Sequence, residues 1–293
     1  MQSEADGGIA GANLDQEELN RRIRSFFNRY ACIYDSYHWY FHNVYLQRAW
    51  WRDAKEIRKR VGIKGRLPLV LDLGCGTGNL SIKFMNYSCE VVAVDISHQM
   101  LQILQKKTLM VPWGKLRPVA SDLRKFVEST TASFDVICEC SVLHHLVDYE
   151  SMERAMLRRI RPGGVLYLSR VPVPPQELVT LGPVRSAVNA VLERFYRWMF
   201  VRMSDARFFS HMVSPPDQSK ISAQFYEHGV SLERIRSIAA EEGFREVGFR
   251  RYNERETGFL TYLDNDVFGA FRRERFKETF YSVIFQSQAV SPA

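Results

Sequence analysis

A doubly wound α/β fold, with a parallel sheet and helices on both faces, is what this sequence predicts. Between residues 67 and 170, five short apolar runs alternate with amphipathic helical stretches, and a glycine-rich turn closes the first run. The first run, Leu67 to Leu73, is continuous rather than apolar at every second residue, as a strand buried on both faces requires. The 293 residues are 46% apolar and 25% charged, which excludes a disordered or fibrous chain and supplies one sizeable core with elaborations.

Taken in order, residues 1–14 are rich in Gly, Ala and Asp and read as a disordered tail. Residues 15–66 read as a helical cap. Asp15 can cap its first helix with Glu18 three residues later, and Leu19, Ile23, Phe26, Phe27 and Tyr30 recur at helical spacing. An aromatic and basic stretch follows from Tyr34 to Arg60, ended by a break at Gly62 to Gly65. Residues 67–170 form the ligand-binding core, with strands at Leu67–Leu73, Glu90–Val94, Leu116–Ala120, Phe134–Cys138 and Val165–Ser169. Helices begin at Asn79 and run over Ser97–Lys107 and Tyr149–Ile160, and Pro162-Gly163-Gly164 reads as a turn. The alternation stops at Pro172, Pro174 and Pro175. Residues 171–225 read as a helical lid inserted over the ligand edge, with Val184, Val188, Leu192, Phe195, Met199 and Met203 on one helix face. Residues 226–293 return to the core through a helix at Ser231–Glu242 and closing strands at Phe244–Tyr252 and Thr279–Gln286.

The net charge of +7 is uneven: residues 21–66 hold twelve basic and three acidic residues, whereas 171–293 hold sixteen and fifteen. Five cysteines with no C-x-x-C pair fit a reduced, cytoplasmic compartment. Cys138 and Cys140 lack further ligands, so no metal site is expected. Met1 to Asp6 carry no apolar signal segment, and no eighteen-residue apolar run predicts a membrane span.

Chemistry concentrates at Val70-Leu71-Asp72-Leu73-Gly74-Cys75-Gly76-Thr77-Gly78, where a buried strand hands over to a helix. The glycines let the backbone turn tightly and approach a ligand. A dinucleotide fingerprint needs its third glycine where Asn79 stands, and no G-x-x-x-x-G-K-S/T occurs, so both phosphate-cradling motifs fail. Asp72 at the strand end would repel a pyrophosphate and suits a ligand's amino group. Asp95 ends the next strand, where a carboxylate can accept both hydroxyls of a ribose. Asp122 follows the third strand and can accept from an adenine amino group, with Leu123 offering a backbone N–H. All three acids fall on the crevice edge that open α/β sheets use for ligands.

That loop, with Val94-Asp95-Ile96-Ser97, Ser121-Asp122-Leu123, Leu143-His144-His145-Leu146 and Arg161-Pro162-Gly163-Gly164, resembles the class I S-adenosylmethionine-dependent methyltransferases. The likeness is to the small-molecule branch that includes the ubiquinone and menaquinone methyltransferases, and it covers residues 25 to 170. It implies a Rossmann-like, seven-stranded sheet with a reversed terminal hairpin, and S-adenosyl-L-methionine as cofactor. It also implies that Asp72, Gly74, Cys75, Gly76 and Gly78 face the methionine end and that Asp95 holds the ribose. By the same resemblance Ile96 and Met100 flank the adenine, Asp122 and Leu123 read its edge, and Cys140 and Tyr34 contact the cofactor.

The expected reaction is methyl transfer to an oxygen, nitrogen or carbon of a small organic acceptor that is aromatic, lipid-like or anionic. A hydroxyl acceptor must lose a proton. His144 and His145 lie just past the fourth strand and are the candidate bases, His144 first; either can instead cap a helix or pack on the sheet. Arg170 stands where sugar-methylating relatives often carry an acid, and it either binds an acceptor anion or pairs with an acid such as Glu139. Tyr40 and, in the lid, His211 complete the candidate acceptor contacts. The basic, aromatic stretch of residues 21–66 reads in three ways: a cover over the acceptor, an arm that holds RNA or protein, or an amphipathic cap with solvated cations. Glu139-Cys140-Ser141-Val142 stands where base-methylating enzymes carry Asn/Asp-Pro-Pro-Tyr/Phe, which disfavours nucleic acid. The Val184 to Met203 helix can pack as a lid or lie on a membrane surface, the lid being favoured. A non-catalytic binding protein on the same fold is the remaining alternative.

Overall fold

Leu69–Leu73 (β1) is apolar except for Asp72 because its alternate residues enter two separate cores. Leu71 and Leu73 pack with Val92, Val94, Ile137, Leu166 and Leu168 on one face of the sheet, beneath Val127, Met152, Met156, Ile235 and Ile238 from helices. Val70 packs with Val91, Ala93, Val136, Val165 and Tyr167 on the other face, beneath Trp50, Ile57, Phe84, Leu101 and Leu104. Two buried faces are the condition for a parallel sheet in this fold class. The computed structural model describes residues 16–41, 43–173, 229–252 and 280–288. The lid expected at 171–225 therefore lies almost wholly outside the described residues, as do the tail and His211.

The cap consists of α1 (Gln16–Tyr30), α2 (Tyr34–Tyr37) and α3 (Val44–Arg60), with single 3-10 turns at Ala31–Ile33 and Trp39–Phe41. After β1 come α4 (Asn79–Asn86), β2 (Glu90–Asp95), α5 (His98–Thr108), β3 (Lys115–Ala120), α6 (Leu123–Ser129) and β4 (Phe134–Cys140). A 3-10 turn at Leu143–His145 leads to α7 (Tyr149–Leu157) and β5 (Ile160–Pro172), and then α8 (Leu232–Glu241), β6 (Phe244–Tyr252) and β7 (Phe280–Ser287) complete the order. Ser97, Asp122, Asp148 and Ser231 each cap the helix that follows by accepting from a backbone N–H.

The seven strands form one sheet in the order β3-β2-β1-β4-β5-β7-β6. The first five run parallel, and β7 is antiparallel to both β5 and β6, which gives the reversed terminal hairpin. The order reverses between β1 and β4, so the crevice at the carboxyl ends of those strands is the ligand position that the topology provides.

One local expectation changes. The Pro162-Gly163-Gly164 segment is not a free turn but an excursion inside β5, where Phe134 pairs with Ile160 and Val136 already pairs with Val165. At this irregularity Arg161 and Arg66 both pair with the Asp135 carboxylate at the start of β4. Trp50 is fully buried in the core, which fits the amphipathic-cap reading of that aromatic. Among the described residues, no helix is long and apolar enough to cross a membrane, and no His/Cys/Asp/Glu group could hold a metal ion.

Candidate active site

The turn after β1 can be built only from small residues. Gly74 has φ +63°, and a Cβ there would stand 2.4 Å from Val142 Cγ2. Gly78 has φ +95° and starts α4, where a Cβ would stand 2.2 Å from Leu104 Cδ1 of α5. Between them the Gly76 N–H donates to Asp95 Oδ2 at 2.8 Å, while Asp95 Oδ1 accepts from Ser97 N at 2.8 Å. The carboxylate at the end of β2 thus ties the glycine turn to the start of α5. Burial pushes Asp95 up to about 6, against the amide donors that hold it down.

Next to this turn lies a cavity of about 350 Å³. The strand edge contributes Gly74, Gly76, Asp95, Ile96, Asp122, Leu123 and Cys140, and α5 adds Met100. The cap closes it from above with Ile23, Phe26, Phe27, Tyr34 and His38. Ser141, His144, His145 and Arg170, from β5 and the segment after β4, complete the wall. Twelve of the residues singled out in the sequence therefore meet in one space.

Four others do not reach its wall. Asp72 is buried beneath the turn, where Ser81 Oγ donates to its Oδ2 at 2.5 Å and burial raises its pKa to about 7. It braces β1 against α4 instead of facing the cavity, because a residue that alternates with Leu71 and Leu73 points to the opposite side of the sheet. Cys75 is turned inward, and Gly78 serves the close packing of α4 on α5. Tyr40 stands behind the wall and donates to Tyr34 Oη at 2.8 Å. Asp122 is in the wall, but its carboxylate is already engaged: Oδ1 caps α6 through Lys125 N, and Oδ2 accepts from Asn20 of α1 at 2.6 Å. Its expected contact with an adenine edge thus competes with a cap and a tether.

Arg170 does not pair with Glu139. Glu139 is buried and accepts from Val142 N at 2.7 Å, so it holds the chain after β4 rather than the guanidinium. Arg170 donates to Ser141 Oγ at 2.5 Å, and its guanidinium carbon lies 4.6 Å from the Tyr40 ring centroid and 4.7 Å from that of Phe280. Both Ser141 and Arg170 adopt left-handed backbone, φ +65° and φ +53°, at the ends of adjacent strands. Non-glycine residues hold that conformation only where surrounding contacts enforce it, and such strain clusters at functional positions. Here β5 slips register against β7 between Leu168 and Val171, which aims Arg170 into the cavity.

The imidazoles beside Arg170 are uncharged. Burial, and less strongly the positive charge of Arg170, lowers His38 to about 3 and His145 to about 4. His144 is held well below the usual range by burial, then by His145 and Arg170. His145 Nδ1 is buried with no hydrogen-bond partner. The cavity wall thus combines carboxylates and backbone amides with a guanidinium and neutral bases.

Asn20, His38, Ser141, Val142 and Leu146 line the cavity but were not singled out in the sequence. The apolar face of α1 read simply as a helix core, although Ile23, Phe26 and Phe27 also roof the cavity. Ser141 carried no signal, because a left-handed serine is a product of its tertiary setting. The cap is latched in several places: Ser97 Oγ donates to Asn28, Val147 N donates to Gln16, and Asp35 accepts from Thr77 and pairs with Lys107.

Residues 70–164, β1 through the start of β5, match the methyltransferase domain family. The core is a class I methyltransferase domain. The methyltransferase core is 28% identical over 138 residues to a ubiquinone biosynthesis O-methyltransferase of Paracidovorax citrulli, an alignment covering 43% of this chain and 58% of that protein. A demethylmenaquinone methyltransferase of Leptospira interrogans is 25% identical over 239 residues, 78% of this chain and 87% of the relative. The chain spans 58% and 44% of the first two curated relatives that it matches. The methyltransferase fold also matches magnesium protoporphyrin IX methyltransferase from Synechocystis, solved with bound S-adenosylmethionine, with a TM-score of 0.52 and 14% identity over 95% of this chain and 100% of that one. The N-methyltransferase NodS from Bradyrhizobium japonicum, solved with S-adenosylhomocysteine, gives a TM-score of 0.52 and 14% identity, covering 91% and 98%.

Proposed function

We propose that this chain is a methyltransferase that takes S-adenosylmethionine as donor and methylates a small organic acceptor bearing an anionic or ionisable group. The observation that carries the reading is a single cavity lined both by Asp95 at the glycine turn and by Arg170 with His145. The residues fit the donor. A buried carboxylate between two backbone amides stands where hydroxyls can reach it, and Ile96, Met100 and Leu123 offer an apolar slot for a base.

When bound, S-adenosylmethionine supplies an electrophilic methyl group on a sulfonium. The chain's residues align the acceptor and exclude water. Ile23, Phe26 and Phe27 of α1 roof the cavity and dry it, while Gln16, Asn20 and Asn28 hold α1 on the core. Arg170 meets the acceptor's negative charge and stabilises an ionised hydroxyl in preference to its neutral form. His145 Nδ1 accepts the proton of that hydroxyl, with His144 beside it at a ring separation of 4.1 Å. An imidazole held at about 4 is a weak base, and an anion against Arg170 offsets one cause of that weakness. Acceptor charge and base strength are therefore coupled through Arg170. Quinone-type acceptors, as in the names of the curated relatives, have the ionisable hydroxyls that Arg170 and His145 can use.

Calorimetry with S-adenosylhomocysteine tests the donor half, and transfer of a labelled methyl to a panel of phenols, quinols and carboxylates tests the acceptor half. Binding of ATP or NAD in place of the homocysteine product refutes the reading.

A further inference from the structure

The cations concentrated in residues 21–66 do not all serve the cavity. Arg58, Lys59, Arg60, Lys64 and Arg66 stand at the amino-terminal edge of the sheet, opposite the carboxyl-end crevice. Arg58 Nε donates to Tyr87 O ahead of β2, and Arg66 clasps Asp135 at the start of β4. Glu90 N bonds Pro68 O and Lys115 N bonds Cys89 O, so the entrances of β1, β2 and β3 share this edge. There the α5–β3 turn projects Leu109, Met110 and Trp113, exposed by 84%, 87% and 65%. Gly114 behind it packs so closely that an added Cβ would stand 2.6 Å from Met85 Cα and 2.8 Å from Cys89 O.

Charge around this apolar tip is one-sided. Glu56 is paired with Arg60, Glu90 with Arg117, and Asp135 with Arg66 and Arg161. Lys59, Lys64, Lys106 and Lys115 are exposed and have no carboxylate partner among the described residues. We propose that this edge docks on an anionic phospholipid bilayer, with Leu109, Met110 and Trp113 entering the headgroup boundary and the four lysines facing lipid phosphates. An apolar insertion or a few cations alone binds a membrane weakly, and the two together make a stable peripheral contact. Two of the three projecting side chains are aliphatic and cannot stack on a base, which disfavours RNA. A two-fold contact with a second copy would set these lysines against their own symmetry mates. The inference stands apart from the methyl-transfer reading, and docking here leaves the cavity on the water side.

Co-sedimentation of the full chain with vesicles decides it. At about 0.1 M salt the protein pellets with vesicles of phosphatidylcholine containing roughly 30% phosphatidylserine and not with phosphatidylcholine alone. Lys64→Glu with Lys115→Glu weakens the partition at least about 25-fold, since each cation near such a surface contributes about fivefold. Leu109→Ser with Met110→Ser abolishes pelleting without changing the melting temperature, and Trp113→Phe removes a lipid-dependent blue shift of fluorescence. The proposal is overturned by absence of pelleting with the anionic vesicles, by equal pelleting of the variants, or by tighter binding to a single-stranded RNA. A concentration-dependent dimer that Met110→Glu breaks overturns it too, in favour of a second copy.

Discussion

Glu153 offers a direct test of the energetics of this core. It lies on α7 with its side chain fully buried, and neither carboxylate oxygen has a hydrogen-bond partner. Burial without compensation pushes its pKa from 4.5 to about 9. The folded protein therefore holds this proton at pH 7, whereas the unfolded chain has released it. A carboxyl whose folded pKa is raised makes its full contribution below pH 4.5 and loses it as pH rises toward about 9. Each unit of pH inside that window removes about 1.4 kcal/mol, so between pH 5 and pH 8 the loss is about 3 to 4 kcal/mol from this residue alone. Glu153→Gln keeps the shape and removes the titration. Urea unfolding of both proteins at pH 5 and pH 8 isolates the effect, because the other buried carboxyls cancel in the comparison. The variant should gain about 3 kcal/mol on the natural protein across that interval. Stability curves that run parallel, within about 0.5 kcal/mol, refute the assignment of a protonated, unpartnered Glu153.

Four further outcomes are expected. Asp95→Ala should weaken S-adenosylhomocysteine binding by about 1 to 3 kcal/mol through lost charge-assisted hydrogen bonds, and unaltered calorimetric affinity counts against the ribose role. Gly78→Ala meets both φ +95° and Leu104 at 2.2 Å, whereas Gly163→Ala at φ +75° meets open space. Chemical denaturation should therefore show the first to be the more destabilising, by about 1 kcal/mol or more. Arg170→Met should raise the KM of the acceptor found by methyl labelling and leave cofactor affinity within about twofold; a change in melting temperature alone would make Arg170 structural. His38 and His145, lowered to about 3 and 4, bind protons more readily when unfolded, so their contribution is complete above the ordinary value of 6.5 and falls away toward pH 4. His145→Phe should flatten that acid limb in thermal melts.

The acidic residues show how far local text reaches. Asp95 and Asp122 were placed at strand ends by the apolar runs before them, and both line the cavity. Asp72 was placed equally well along the chain, yet it points into the α4 side and bonds Ser81. The facing of a strand's last residue depends on which helix covers which side of the sheet, and one sequence does not state that. The hydroxyl cap at Ser97 and the carboxylate cap at Asp122 went unread, although capping is a contact over only three residues.

By itself the chain determined the order of β-α units, the glycine turn and the class of ligand that its acids admit, because each depends on periodicity or on neighbours a few residues apart. Tertiary structure alone decided that Arg170 leaves Glu139 for Ser141 and two aromatic rings, that α1 roofs the cavity, and that the basic end of α3 faces away from it. Each of these joins segments tens of residues apart, and their meeting is set by how the sheet twists and which helices pack on it.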